Sequence, residues 1–213
     1  AEGVIIAGRA FSGTGLTSVA LPAKVKLEGG KNFENCKALK KVTFKNSSAK
    51  LLVPNDCFAG CIALKTVVLP KSAKAVTLYT RAFYNCTALK TVENSGKITE
   101  VYSKAFRNCK SLESIKFSSR IRKISKDAFC SKLKSVTFKD TKNVPGSSYN
   151  YNTEKSNGKF EAGTFSGTPS GIKFYVKNAT VAKKLKTALK GSGVKKAKIY
   201  RLSGNTLYYK NVK

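Results

Sequence analysis

The spacing of three residue types constrains this chain most strongly. A Phe is followed three positions later by Cys and three positions after that by Leu, in four copies: Phe33-Cys36-Leu39, Phe58-Cys61-Leu64, Phe83-Cys86-Leu89 and Phe106-Cys109-Leu112. Each copy continues to a β-branched residue three positions further on, namely Val42, Val67, Val92 and Ile115. Variants of the unit start at Phe11, Phe129 and Phe165, so successive Phe residues are 22, 25, 25, 23, 23 and 36 positions apart. A unit of this length cannot bury its own apolar face, so we expect the units to stack into a solenoid.

The period of the apolar positions changes within one unit. Phe and Cys at positions i and i+3 fit one helical turn, whereas Leu64-x-x-Val67-x-Leu69 ends in the alternation of a short strand. A second extended stretch follows, with apolar pairs such as Val76/Leu78, before the next Phe. The unit is therefore predicted to be a strand, a turn, a short strand and a helical turn.

One copy displays the whole motif, Ala82-Phe83-Tyr84-Asn85-Cys86-Thr87-Ala88-Leu89-Lys90-Thr91-Val92, and it resembles the BspA-type leucine-rich repeats. The resemblance covers Ala10 to Phe138 clearly and Thr164 to Val176 more loosely. The sequence departs from the motif at Gly60, which replaces the turn Asn, and at Asn94, which interrupts the apolar end of a strand. The resemblance implies a leucine-rich-repeat solenoid that is secreted or lies at a bacterial cell surface and attaches to host matrix proteins or neighbouring cells.

Two parts of the chain depart from the repeat. The polar segment at about 140–163, with Tyr149 and Tyr151, is expected to be an insertion loop, either a mobile linker or a binding loop with these tyrosines as contacts. After it, Asn178 is a candidate N-cap of an amphipathic basic helix, which would either cap the solenoid or bind an anionic membrane. We therefore divide the chain into a solenoid at 1–176 and a C-terminal cap and tail at 177–213, the tail forming one or two strands.

Composition excludes several classes of function. The 213 residues contain 41 Lys and Arg against 11 Asp and Glu, a formal net charge of +30, and no His, Met or Trp. The lack of His excludes imidazole bases and Ser/His/Asp or Cys/His nucleophiles. Carboxylates are dispersed, no Gly-Lys-Ser/Thr sequence occurs, and no apolar run approaches the roughly 18 residues of a membrane span. We expect no catalysis, no cofactor and no membrane insertion. The chain begins at Ala1, so we expect a processed N-terminus and read no targeting signal.

Six cysteines lie at positions 36, 57, 61, 86, 109 and 130. Most share an inward repeat position beside Phe and Leu, where a free thiol behaves as a small apolar group. Buried thiols are the favoured interpretation. The alternatives are a disulfide near Cys57 and Cys61, or a metal site, although thiols stacked at roughly 5 Å per turn would not converge on one ion.

The outward strand positions form two columns. One contains the lysines Lys40, Lys65, Lys90 and Lys134, and the next contains hydroxyl residues, Ser18, Thr66, Thr91, Ser114 and Ser135. Like charges about 5 Å apart repel by roughly 1 kcal/mol in water, and an anionic polymer lying across them would relieve that repulsion. The columns, without Ser18, are therefore the predicted ligand-binding face, and the alternative is a solvated lysine-rich surface.

The sequence thus predicts a non-catalytic binding module that uses a basic repeat face. Its partners would be an acidic protein, a glycan or a cell-wall polymer, and nucleic acid would bind only nonspecifically. The alternatives are a structural spacer in a larger surface protein and a nonspecific polyanion binder. The ligand's identity and the oligomeric state stay open.

Overall fold

The chain folds as a solenoid of about seven turns, which confirms the predicted fold class. The computed structural model describes residues 3–129, 132–139, 145–146, 149–150, 152, 155–156, 158–161, 163–165, 168–203 and 206–212. The strands are, in chain order, β1 Ile5–Ile6, β2 Ser18–Leu21, β3 Lys26–Leu27, β4 Lys41–Phe44, β5 Lys50–Val53, β6 Thr66–Val68, β7 Ala75–Leu78, β8 Thr91–Glu93, β9 Ile98–Val101, β10 Ser114–Phe117, β11 Lys123–Ile124, β12 Ser135–Phe138, β13 Tyr149–Asn150, β14 Lys155–Ser156, β15 Lys173–Val176, β16 Ala197–Arg201 and β17 Leu207–Val212. One α-helix, α1, spans Ala179–Ala188, and a 3₁₀ turn spans Ser95–Lys97.

A front face is built from one strand of each turn. It consists of a parallel sheet in the order β2-β4-β6-β8 and a second sheet in the order β10-β12-β15-β16-β17, in which β17 is antiparallel to β16. Side chains alternate along each strand, so that Val42 and Phe44 of β4 are buried while Lys41 is exposed. The front face therefore presents a row of outward positions from every turn.

Asn94 separates the two front sheets. It adopts a left-handed conformation with φ of 57°, which ends β8, and its Nδ2 donates a hydrogen bond to the Leu69 carbonyl at 2.8 Å. Ser95 then donates from Oγ to the Lys116 carbonyl of β10 at 2.7 Å. Two side chains thus replace backbone bonds between neighbouring turns, and the irregularity predicted at Asn94 becomes a break in the sheet.

A back face is formed by the second extended stretch of each turn. β1 pairs with β3, and the order β5-β7-β9-β11 forms a parallel sheet. β7 and β9 are buried along their whole length. The carboxylate of Glu100 lies 3.7 Å from the Arg122 guanidinium, which provides the opposite charge that a buried carboxylate needs.

The insertion contains regular structure that was not expected of a loop. Gly146 forms a parallel bridge with Lys123, and its carbonyl accepts a hydrogen bond from the Ile124 amide at 2.8 Å, which extends the back face. β13 and β14 pair as an antiparallel hairpin. Tyr151 lies outside the described residues, and the possible loop contacts at Tyr149 and Tyr151 stay a prediction.

Seven phenylalanine rings stack along the turn edge between the two faces. Their centroids are 5.1 to 6.3 Å apart and their planes differ by 0 to 11°, in the order Phe11, Phe33, Phe58, Phe83, Phe106, Phe129 and Phe165. Each predicted helical turn is a single turn, closed by a bond such as that from the Cys86 amide to the Phe83 carbonyl at 3.3 Å. Residues two positions before and after the Phe are left-handed, as at Arg81 and Asn85, and a left-handed residue prevents a right-handed helix from propagating.

The C-terminal helix caps the solenoid in the predicted way. Asn178 Oδ1 accepts a hydrogen bond from the Val181 amide at 3.0 Å, and Val181, Leu185 and Leu189 are buried. The Lys186 ammonium lies 4.7 Å from the centroid of the Tyr209 ring, which connects the helix to β17. The sheet continues across the 176/177 division because β15 pairs with β16, and that domain boundary stays a prediction.

Removing one ring from the middle of the stack should destabilise the fold strongly. Phe83 is fully buried between two rings, so Phe83→Ala should lower the free energy of unfolding by about 3–5 kcal/mol. Chemical denaturation would measure this loss. The matched control is Phe11→Ala, because Phe11 is 38% exposed and stacks on Phe33 at the end of the described row. Equal losses in the two variants would contradict the assignment of the stack as the core of the solenoid.

Candidate functional site

Three lysines occupy the same position on consecutive turns of the front face. The Lys65 amide donates to the Lys40 carbonyl at 2.9 Å, and the Lys90 amide donates to the Lys65 carbonyl at 3.0 Å. All three side chains are exposed. The backbone ladder holds their Cα atoms at the roughly 4.8 Å spacing of neighbouring strands. We call Lys40, Lys65 and Lys90 the lysine column.

Lys134 reaches the corresponding position but differs from these lysines in its environment. Glu113 lies between Lys90 and Lys134 in the order of the turns, and Lys134 Nζ lies 2.7 Å from Glu113 Oε1. The hydrogen bond from Lys134, followed by its positive charge, lowers the pKa of Glu113. The run of lysines is therefore interrupted by a carboxylate, and Lys134 forms an ion pair.

The hydroxyl residues form two pairs. Thr66 is aligned with Thr91 in the first front sheet, and Ser114 is aligned with Ser135 in the second. Lys41 lies between Ser18 and Thr66 in the same register. The structure thus brings the predicted residues to one face, and the ligand-binding role of that face stays a prediction.

A depression of about 370 Å³ lies on the front face between the starts of β12 and β15, where its lining includes Lys134, Ser135, Ser170, Gly171, Lys173 and Tyr175. The Tyr175 ring stacks on Tyr200 of the next strand, with centroids 5.5 Å apart and planes inclined by 25°. Sequence reasoning missed Lys173 and Tyr175. The signal was present as Lys173-Phe174-Tyr175 and Lys198-Ile199-Tyr200, two copies of the pattern Lys-apolar-Tyr that align in register.

Five carboxylates in the described part of the chain form ion pairs with Lys or Arg side chains. Arg81 makes a bidentate contact with Asp56 at 2.7 and 2.9 Å, and Arg107 Nη1 lies 3.1 Å from Asp127 Oδ1. Glu34, Glu100 and Glu113 also have basic partners. None of these five ion pairs involves Lys40, Lys65 or Lys90, whose side chains are exposed. Besides the hydrogen bond and charge of Lys134, the charge of Lys90 contributes to the lowered pKa of Glu113.

The cysteines have a structural role. In four turns the Sγ donates a hydrogen bond to the carbonyl of the Phe one turn earlier: Cys36 to Phe11 at 3.0 Å, and Cys61 to Phe33, Cys86 to Phe58 and Cys109 to Phe83 at 3.1 Å each. These four and Cys57 are buried free thiols, as predicted, and Cys130 lies outside the described residues. In the described part of the chain, no three His, Cys, Asp or Glu residues are placed to hold a metal ion.

The fold and its columns define a leucine-rich-repeat solenoid. The model of the BspA type leucine rich repeat region matches six copies, over residues 4–72 and 52–166. The chain belongs to this family. No curated protein matches the sequence significantly. None of the helices in the described ranges has the length and apolar composition that a membrane span requires.

Solved structures of similar proteins come from bacterial sources. A leucine rich cell surface protein from Faecalibacterium prausnitzii A2-165 is 24% identical with a TM-score of 0.48, and a leucine-rich repeat protein from Bacteroides ovatus ATCC 8483 is 19% identical with a TM-score of 0.42. The pneumococcal vaccine antigen PcpA is 15% identical with a TM-score of 0.38. The matches cover 94%, 93% and 93% of this chain and 52%, 58% and 69% of those chains. The chain thus spans little more than half of the length of the first two of these proteins.

The buried thiols should make stability depend on pH in the alkaline range. Burial, followed by the charge of the neighbouring Cys36, raises the pKa of Cys61 from 9.0 to about 12. The folded state keeps this proton above pH 9 while the unfolded state loses it. The thiol's contribution to stability should therefore be complete below pH 9 and decline between pH 9 and 12, by up to about 1.4 kcal/mol per pH unit.

The reference is Cys61→Ala, which has the same lysines and lacks this thiol. Denaturation of both proteins from pH 7 to pH 11 gives the difference in unfolding free energy at each pH. We expect the advantage of the unmodified protein to shrink above pH 9. A difference that stays constant over the whole range would contradict a buried, protonated Cys61.

Proposed function

We propose that this protein is a non-catalytic binding module, secreted or at the cell surface, and that its front face attaches to acidic host matrix proteins, glycans or neighbouring cells. The observation that carries the proposal is the lysine column. Lys40, Lys65 and Lys90 are exposed on consecutive turns, and in the described part of the chain no carboxylate forms an ion pair with them. Membership of a family of repeat modules supports a binding role.

The regular spacing of the column favours a polymer as the ligand. Three ammonium groups on one backbone ladder repel one another, and a chain of negative charges laid across the turns would reduce that repulsion. Six of the seven stacked phenylalanines are buried, and Phe11 alone in the stack is partly exposed, so the stack offers no row of rings on which successive nucleic-acid bases could stack. This supports a glycan or an acidic protein as the partner and nonspecific contact with nucleic acid.

The test compares two variants of equal charge. Lys40/Lys65/Lys90→Gln removes the column, and Lys183/Lys184/Lys190→Gln removes three exposed lysines on and beside α1; both change the net charge from +30 to +27. Binding to a sulfated glycan, an acidic matrix protein and duplex DNA would be measured at about 50 and 300 mM salt, which shorten the screening length to roughly 14 and 6 Å. We expect the column variant to lose about tenfold in affinity for one ligand class, equivalent to about 1.4 kcal/mol.

Two results would contradict the proposal. One is an equal loss in the two variants, which indicates attraction by total charge alone. The other is the loss of all binding at the higher salt for every ligand, which favours a structural spacer over a binding module.

A further inference from the structure

We propose that the depression between the starts of β12 and β15 on the front face binds one acidic sugar residue of a polysaccharide, with the ring of Tyr175 against the apolar face of the sugar. The inference rests on the proposed function and deepens it, because it names an anionic pyranose as the ligand class. The negative group could be a carboxylate or a sulfate, and the experiment below distinguishes these two sources.

The depression lies where the length of the turns changes. The Phe is followed by its inward Leu after six residues in four copies, but Phe129 reaches Leu133 after four and Phe165 reaches Ile172 after seven. The longer turn is fixed by the Gly171 amide, which donates to the Lys195 carbonyl at 2.8 Å, and by the left-handed φ of 80° at Gly171. The depression lies between the starts of β12 and β15, the strands that follow these two turns. Its 370 Å³ is within the range of about 300–1,000 Å³ of small-ligand sites.

Tyr175 provides a rigid aromatic wall. One face of its ring packs on Tyr200, which fixes the ring's orientation before any ligand binds. On the other side its aligned neighbour is Thr137, a small side chain, and the ring lines the depression. An aromatic ring that lines a depression suits a sugar, which has an apolar face and polar edges.

Charged and polar groups surround this wall. Lys173 lies two residues before Tyr175 on β15, and its Nζ is 6.0 Å from the centroid of the Tyr200 ring. Lys134 and Ser135, at the start of the neighbouring strand β12, line the other side of the depression. The Glu113 carboxylate lies 2.7 Å from Lys134 Nζ. Because Glu113 neutralises Lys134, Lys173 is the ammonium group that attracts the negative group of the sugar, and the Ser135 hydroxyl can pair with a sugar hydroxyl. The carboxylate also disfavours a run of phosphates, which favours an acidic sugar over an oligonucleotide.

The experiment uses calorimetry on the whole chain with four hexameric probes: a uronic-acid oligosaccharide, a sulfated oligosaccharide, a neutral oligosaccharide and a single-stranded oligonucleotide. The unmodified protein is compared with Tyr175→Ala, Tyr175→Phe and Lys173→Gln. Tyr84→Ala, on the turn edge, is the matched control for loss of a tyrosine. Thermal unfolding of each variant checks that the fold is retained.

We expect at least one acidic oligosaccharide to bind at least tenfold more tightly than the neutral one. Tyr175→Ala should weaken that binding about tenfold and Lys173→Gln several-fold, whereas Tyr175→Phe and Tyr84→Ala should change it less than twofold. Tighter binding of the uronic-acid or of the sulfated probe identifies the anionic group. If Tyr175→Ala unfolds, Lys173→Gln decides the same question: a several-fold loss supports the depression as the site, and unchanged binding contradicts it.

Three results would overturn the inference: equal effects of Tyr175→Ala and Tyr84→Ala, acidic probes that bind no better than the neutral one, or an oligonucleotide that binds as tightly and with the same sensitivity to Tyr175→Ala. The two proposals fail separately. If the lysine-column variant loses polymer binding while Tyr175→Ala keeps oligosaccharide binding, the depression is not the site and the proposed function stands. If Tyr175→Ala loses oligosaccharide binding while the lysine-column variant keeps polymer binding, the lysine column is not the site and the depression remains the proposed site.

Discussion

The stack of phenylalanine rings sets the distance between successive turns, and the other regular contacts follow from it. Because Phe58 and Phe83 lie 5.4 Å apart with nearly parallel planes, the Phe58 amide reaches the Ala82 carbonyl of the next turn at 2.9 Å. The same spacing brings Cys86 Sγ within 3.1 Å of the Phe58 carbonyl. A thiol suits this position because it is a weak donor that costs little to bury. The Cys of the repeat is therefore a spacer and hydrogen-bond donor within the core.

The front face shows how this regularity becomes a surface property. Where the turns have equal length, as from Lys40 to Lys90, the same outward position recurs at a constant spacing and yields an ordered row of charge. Where the length changes, after Phe129, a depression is lined by Lys134, Lys173 and Tyr175. In our two proposals the regular row attracts an anionic polymer and the depression binds one residue of it. The two features are thus complementary parts of one face.

The repeat was readable from the sequence because inward positions are set by local spacing. The Phe, Cys and Leu positions and the capping helix after Asn178 follow from periodicities of a few residues, and they are buried or capped as expected. The left-handed conformations at Arg81 and Lys104 were not readable, since they occur at residues that disfavour them and are held by bonds to the neighbouring turns. The Tyr175–Tyr200 pair depends on β15 and β16 becoming neighbours across the helix, so the repeated Lys-apolar-Tyr pattern gains its meaning only once the strand order is known.

Electrostatics explains why a chain with a net charge of +30 can have a surface with distinct regions. Its few carboxylates are concentrated in ion pairs, such as the bidentate contact of Asp56 with Arg81 on the turn edge. This arrangement neutralises part of the turn edge, where the Phe turns must pack closely. The excess charge remains on exposed positions such as Lys40 and Lys65, where water and salt screen it. The one break in that row, Glu113, lies next to the depression, so the region with mixed charges coincides with the region that has a shaped surface and an aromatic wall. The two proposed sites, the lysine column and the depression beside Tyr175, therefore lie on the same face and differ in charge pattern and shape.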